Sequence, residues 1–549
     1  MSLARVLSRT HLGLEAPLVQ VELHVGRGLP GFTIVGLPAP VVRESRERVR
    51  AALLNSGYEF PSGRITVNLA PVELSKQGGR FDLPIALGLL IASGQLAAPR
   101  RAFECYGELG LAGDLRPVSG LFLAALHAGD AGHALIVPAA NGAEVALSGH
   151  AAAYGAQNLR EAAGWLTGRP TPVAQPRAHA AGHGAGAGAG AGAGICVAIG
   201  ADAGAVAAPL PALADVAGQW QAKRALIIAA AGGHSLLLIG PPGSGKSMLA
   251  ARLPALLPPL TQAEAREVAG IASVAGWQRE SGCWHRRPFR APHHTASAHA
   301  IVGGGSQVAP GEISLAHQGV LFLDELPEFD RRVLESLREP LETGLMTIAR
   351  AGARLTLPAQ FQLVAAMNPC PCGHLGDPAQ ACSCTPASIE RYRQRISGPV
   401  LDRIDMRVEV PRVSVEEMVQ ATMAGAAVAG TAVAGTSVGV TAVAGTAAAQ
   451  LEDPAAQVRS ARERRLSASG ALSARLWAPQ LKACCALSGA GERLLHSSCQ
   501  RLGLSGRGVH RLLMLGRTIA DLEGSERIEP AHLAEAISLR RPSAVSGGG

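Results

Sequence analysis

Ser235-Leu-Leu-Leu-Ile239 followed by Gly240-Pro-Pro-Gly-Ser-Gly-Lys246-Ser247 is the stretch that decides how this chain is read. An apolar run, a glycine turn and a lysine–serine pair match the phosphate-loop pattern G-x-x-x-x-G-K-[ST]. The run predicts a short buried strand. The glycines predict a turn whose backbone N–H groups converge on phosphate oxygens, with a helix beginning near Ser247. Lys246 is expected to meet the outer phosphates of ATP, and Ser247 a magnesium ion. The expected nucleotide cradle is Gly240, Pro241, Pro242, Gly243, Ser244, Gly245, Lys246, Ser247 and Met248. The chain has only four lysines (Lys76, Lys223, Lys246 and Lys482), so a lysine kept in this loop carries weight.

A phosphate loop needs an acidic partner on a neighbouring strand. Val320-Leu-Phe-Leu323 reads as a buried strand ending in Asp324-Glu325. Asp324 is expected in the magnesium shell beside Ser247, and Glu325 on the attacking water. Phe361-Gln-Leu-Val-Ala-Ala366 reads as another strand, with Asn368 just beyond its tip. Asn368 either touches the γ-phosphate or the water, or simply forms a turn before Pro369. Arg403, in Leu401-Asp-Arg-Ile-Asp405, and Arg507, at a helix start in Gly503-Leu-Ser-Gly-Arg507, are candidates for stabilising charge on the transferred phosphoryl group. Any arginine picked at random is more often a solvated or salt-bridged one, so location has to decide.

Outward from this core, residues 1–168 read as a globular α+β or α/β unit. Leu18–Val25 and Ile65–Leu69 read as strands, Val41–Leu54 as an amphipathic helix and Leu83–Leu96 as a buried one. Residues 169–210, with Gly-Ala alternation, read as a flexible linker. Strand–helix alternation over 211–417 predicts an α/β nucleotide fold. Residues 418–450, where Ala-Val-Ala-Gly-Thr recurs, read as a low-complexity insertion. Residues 451–541 read as helical, with Leu512, Leu513, Leu515, Ile519 and Leu522 on one apolar face, and 542–549 as a tail.

The 549 residues carry a formal charge of +8, which allows an acidic partner such as nucleic acid and equally allows a plain surface excess of arginine. The start of the chain lacks the long apolar core of a secretory signal, so a cytoplasmic protein is expected. Residues 418–451 are uncharged over a long run but too poor in large aliphatic side chains for a membrane span. Ten cysteines without a leader point to reduced thiols or a metal, not disulfides. Cys370-Pro-Cys372 and Cys382-Ser-Cys384 could put four thiolates around one zinc, although C-x-C is tighter than the usual ribbon spacing.

Taken together the motifs resemble the ring-forming AAA+ ATPases of the magnesium-chelatase-like group, specifically the YifB/ComM family. The matching pieces are Gly31-Phe-Thr-Ile-Val-Gly-Leu-Pro38, Lys76-Gln-Gly-Gly-Arg-Phe-Asp-Leu-Pro84, the phosphate loop, Arg290-Ala-Pro-His-His-Thr295, Leu323-Asp-Glu-Leu-Pro-Glu-Phe329, Met367-Asn-Pro-Cys-Pro-Cys-Gly373 and Leu401–Asp405. The resemblance covers everything except the two low-complexity segments. It implies an α/β architecture: a front Lon-protease-like α+β domain, a central AAA+ domain and a C-terminal helical lid. It also implies that Asn368 is the sensor-1 residue, Arg403 an arginine finger reaching a neighbour's ATP, and Arg507 a sensor-2 arginine. A finger acting in trans needs a ring, with a hexamer expected.

The family resemblance further implies a DNA helicase that promotes branch migration during natural transformation. The basic segment Arg286-Arg-Pro-Phe-Arg290-Ala-Pro-His-His294, followed by Gly303-Gly-Gly305, and the hairpin tip expected at Ala349–Arg354 are candidate pore contacts to a phosphate backbone. Lys76 and Arg80 are candidate contacts in the front domain. Three rivals stand beside this reading. The chain could be the motor subunit of a magnesium chelatase. It could be a Lon-type protease, although Asp82 stands about where the nucleophilic serine is expected and no lysine occurs between Lys76 and Lys223. It could be a scaffold that only binds ATP, which the intact Glu325 argues against.

Overall fold

The computed structural model describes residues 2–74, 76, 78–150, 152–167, 210–277, 281–305, 309–350, 353–377, 379–413, 453–502 and 504–540. The 418–450 insertion, the 542–549 tail and all of the 169–210 linker except Leu210 lie outside them.

The front unit is built on a seven-stranded mixed sheet. Its strand order is Gly31–Val35, Arg64–Ala70, Leu18–Gly26, Ser2–Arg9, Phe103–Cys105, Ala134–Pro138, Ala153–Ala156. Alternation in Leu18–Gly26 sends Val19, Val21 and Leu23 inward, and helix Asp82–Ala92 packs over that face. The strand Ala134–Pro138 is buried on both sides: Ile136 joins one core, Leu135 and Val137 another. The helix expected over 41–54 is two helices, Pro40–Arg43 and Ser45–Asn55, meeting at Glu44.

The central unit is a five-stranded, all-parallel sheet. Its order is Phe289–Arg290, Val320–Leu323, Gln362–Met367, Leu236–Ile239, Met406–Glu409. Both faces are covered, which is why Leu236–Ile239 and Val320–Leu323 are unbroken apolar runs. Leu236 and Leu238 pack toward helix Trp220–Gly232, while Leu237 packs with Leu321, Leu323 and Ala365 on the other side. Because every strand runs the same way, the sheet has two unlike poles. Loops at its carboxyl ends form one crevice, and the amino ends face the opposite direction.

The last unit is helical: Pro454–Ser469, Ala478–Cys484, Gly489–Leu502, Gly506–Glu523 and Pro530–Ser538. Leu512, Leu515 and Ile519 of the expected apolar face are fully buried. Each contributes about 1.5–3 kcal/mol of burial free energy. They belong to the same core as helix Trp220–Gly232, so the helical unit and the parallel sheet share one hydrophobic interior.

The front unit also touches the central one directly. Ala16, Phe122 and Leu123 pack with Ala269 of helix Gln262–Val274, and the Phe122 and Trp284 ring centroids are 5.9 Å apart. The Gly120 N–H donates to the Ser273 carbonyl at 3.0 Å, and the Ser273 hydroxyl donates to the buried Glu144 carboxylate.

Candidate nucleotide site

Strand Leu236–Ile239 ends at the loop 240–245, in which Gly243 and Gly245 adopt φ of +75° and +89°. That backbone is open to glycine and strained for other residues. The Gly240 N–H bonds the Met367 carbonyl at 3.2 Å, which fixes the loop to the neighbouring strand tip.

Lys246 is 8% exposed. Its Nζ donates to the carbonyls of Gly240 (2.7 Å) and Pro241 (2.8 Å) and to Oδ1 of Asn368 at 3.3 Å. Burial lowers its pKa against the opposing pull of Asp324 and Glu325. Among the described residues no carboxylate is ion-paired with it. A buried ammonium with only neutral acceptors lacks a counter-charge, which is what an incoming phosphate supplies. The buried Ser244 hydroxyl likewise has no partner. Ser247 Oγ lies 2.6 Å from Asp324 Oδ2. A hydroxyl beside a carboxylate is a hard oxygen pair of the kind magnesium accepts. The residues therefore fit both ATP and its metal.

Glu325 follows Asp324 in the left-handed region, with φ +53°. A non-glycine residue held there is strained, and such strain gathers at functional sites. Its Oε2 lies 3.0 Å from Nδ1 of His294, whose ring is stacked on His293 with centroids 4.2 Å apart. In sequence His294 stands out only within the basic segment and the motif Arg290–Thr295, with no role of its own. Gln219 was also missed. It sits at φ +55° before helix Trp220–Gly232, and its Nε2 reaches the Ser244 carbonyl at 3.4 Å and the Pro411 carbonyl at 2.5 Å. The signal for both was present in sequence: polar residues flanking elements that had already been read.

Lys246, Ser247, Asp324, Glu325 and Asn368 are thus gathered at the carboxyl ends of the sheet. Arg403 and Arg507 are not among them. Arg403 precedes strand Met406–Glu409, and its carbonyl accepts from Ser235 Oγ (2.9 Å), just before strand Leu236–Ile239 begins. It therefore stands at the amino ends, a four-residue strand or about 13 Å from the phosphate loop. Its side chain is 6% exposed, paired with Glu342 and donating to the Pro399 carbonyl at 2.7 Å. Arg507, 70% exposed, lies 3.6 Å from the same Glu342 oxygen. Arg511 joins this pole, bonding the Arg403 carbonyl at 2.8 Å and pairing with Asp405. Burial alone would raise the Asp405 pKa, but His234 and Arg511 prevail and hold it far below the usual carboxylate range.

Several basic residues singled out as nucleic-acid contacts are committed elsewhere. Arg290 is paired with Glu312 (2.5 Å) and lies 4.5 Å over the Trp277 ring. Arg287 is half-buried, paired with Glu264 (3.3 Å) and donating to the carbonyls of Pro258 and Gln318. In the front unit the Lys76 ammonium is buried against the Pro71 carbonyl. Arg80 is buried, its pKa lowered to about 10 by desolvation, and donates to the Ser119 carbonyl at 3.1 Å. All four are engaged by partners within the fold. Asp82 is bonded by Arg48 Nε at 2.7 Å and by Ser45, leaving no protease dyad at this position. The hairpin expected near Ala349–Arg354 is present as strands Leu345–Arg350 and Ala353–Pro358.

The four cysteines of the C-x-C pairs meet directly behind the phosphate loop. Cys370 Sγ is 3.4 Å from Cys372 Sγ and 3.7 Å from Cys382 Sγ, and Cys372 to Cys382 is 3.6 Å. With Cys384, all four sulfurs lie within 4.8 Å of one another. Backbone N–H groups of His374 and Ser383 lower the Cys372 thiol to about 5. Among the described residues no helix is long and apolar enough to cross a membrane.

Three family descriptions match the chain: "Magnesium chelatase, subunit ChlI" over 212–418, "Subunit ChlI of Mg-chelatase" over 21–141, and "Magnesium chelatase, subunit ChlI C-terminal" over 448–540. The protein YifB of Salmonella typhimurium is 44% identical over 98% of this chain and 97% of its own length. The competence protein ComM of Haemophilus influenzae is 44% identical over 98% of each. The magnesium-chelatase 38 kDa subunit of Cereibacter sphaeroides is 25% identical over 59% of this chain and 89% of its own. The near full-length identity, joined to the parallel sheet and its phosphate loop, places this chain in the magnesium-chelatase-like YifB/ComM family of AAA+ ATPases.

Proposed function

We propose that the protein is an ATP-hydrolysing ring, a hexamer, that works in the cytoplasm on single-stranded and branched DNA and drives branch migration during natural transformation. One observation carries this reading. The phosphate-binding groups and the charge-stabilising arginine candidates lie at opposite poles of one sheet, so an arginine can complete a site only on an adjacent copy. Bound magnesium supplies charge that neutralises the phosphates. Ser247 and Asp324 hold it, Lys246 grips the outer phosphates, Glu325 orients the water and Asn368 monitors it. Arg403 and Arg507 approach from the neighbour. Hairpin Leu345–Arg350 and Ala353–Pro358 is the candidate pore element. The name of the Haemophilus relative supports the tie to competence. The front unit is a non-proteolytic Lon-like domain.

The test is ATPase activity with and without single-stranded and forked DNA, together with displacement of strands from three- and four-way junctions, for wild type and Lys246→Ala. DNA stimulation and branch movement that vanish in Lys246→Ala support the reading. An intact ring that hydrolyses ATP and never moves a branch overturns it. A chelatase-type motor is the second reading, favoured by the match to the 38 kDa subunit. It predicts stimulation by porphyrin-handling partners and indifference to DNA.

A further inference from the structure

We infer that Cys370, Cys372, Cys382 and Cys384 hold one zinc ion, and that the resulting knot braces the phosphate loop through Gly373 and Pro242. Four thiolates around zinc at about 2.3 Å stand about 3.8 Å apart at tetrahedral angles. The three closest sulfur pairs here are at 3.4–3.7 Å and all four lie within 4.8 Å, too tight for a multi-iron cluster and too long for a disulfide. The donor set is all thiolate, which selects zinc over the hard ions. Outer contacts are also in place. The Cys372 N–H points at Cys384 Sγ and the Cys384 N–H at Cys382 Sγ, each at 3.4 Å. Asp377 ties the intervening loop, accepting from the Ala379 N–H at 3.0 Å and lying 3.5 Å from Arg412.

The brace follows from where this loop runs. Gly373 sits between the two cysteine pairs at φ +85°, and its N–H bonds the Cys370 carbonyl at 3.0 Å. A Cβ there would lie 2.6 Å from Pro242 Cδ and 3.9 Å from Asn368 Cγ. The knot therefore backs directly onto the phosphate loop and the residue that faces Lys246. Without the ion only weak thiol contacts hold the four sulfurs together, and the surface supporting Pro242 and Asn368 loosens with them. This second half rests on the nucleotide site proposed above, whereas the metal itself does not.

Metal analysis by mass spectrometry on the full chain, purified without chelator, is expected to give one zinc per chain. No metal, or stoichiometric iron, overturns the site. Cys372→Ser/Cys384→Ser is expected to lose zinc and to weaken binding of a fluorescent ATP analogue by about tenfold to a hundredfold, the scale expected for a misplacement of about 1 Å. Gly373→Ala keeps all four ligands and guards against a simple folding failure: zinc is retained while the analogue binds more weakly. Wild-type affinity in both variants overturns the brace. Lys246→Ala should keep its zinc. A zinc-loaded wild type without ATPase activity would sink the nucleotide reading and leave the metal standing.

Discussion

Arg403 is held by Glu342 at the amino ends of the central sheet, with Arg507 3.6 Å from the same carboxylate oxygen. A guanidinium that is 6% exposed in the single chain reaches a neighbour only when Glu342 releases it. Arg403→Ala is therefore expected to lower kcat by about 10³–10⁵-fold while ATP still binds. Mixing Arg403→Ala with Lys246→Ala subunits should restore activity, since each mixed boundary pairs an intact loop with an intact arginine. Mixed preparations as inactive as their components would show that the arginine does not act across a boundary. Glu342→Gln, which removes the competing charge, should ease release and raise activity at low protein concentration.

Glu325 is strained and paired with His294. Glu325→Gln should lower kcat by about 10²–10⁴-fold, the range for loss of a positioned base, and leave the nucleotide dissociation constant near wild type. His294→Ala should give a smaller fall in single-turnover hydrolysis, because it frees Glu325 without removing it. Equal losses in the two variants would place His294 on the reacting groups.

Arg290 separates structural from DNA-binding arginines. Arg290→Ala strands the partly buried Glu312 and should cost about 3–5 kcal/mol in urea unfolding. DNA affinity at fixed salt should be unchanged in the folded fraction. Arg350→Ala and Arg354→Ala, on the hairpin strands, should each reduce the log–log salt slope of DNA binding by about one. The reverse pattern would mean the strand runs past Arg290 instead.

His11 sets an acid limb. Burial, aided by Arg80, lowers its pKa from 6.5 to about 3. The unfolded chain takes up this proton first, so stability falls as pH drops from about 6.5 toward about 3, by at most about 1.4 kcal/mol per pH unit. In melting curves across that window, His11→Asn should show a shallower decline than wild type. An unchanged slope would show that other groups dominate.

What could be read in sequence was local. The loop 240–247, strands 236–239 and 320–323 and the helix face of Leu512, Leu515 and Ile519 declare themselves through spacing within one element. Partnerships between distant segments stayed hidden. Arg287 and Arg290 looked like free basic residues because Glu264 and Glu312 lie far along the chain. The pole occupied by Arg403 depends on strand order, which follows from hydrogen bonding between segments and not from composition. The short strand Phe103–Cys105 has too few residues to show a period.

The seam formed by Phe122, Leu123, Ala269 and Trp284 is oily, with one buried carboxylate, Glu144, at its edge. Severing the polypeptide within the Gly-Ala tract would not yield two well-behaved halves. Each would carry a freshly bared greasy patch and one lost acid–hydroxyl handshake. The excised motor should clump or need detergent, and adding the missing piece in trans should redissolve it.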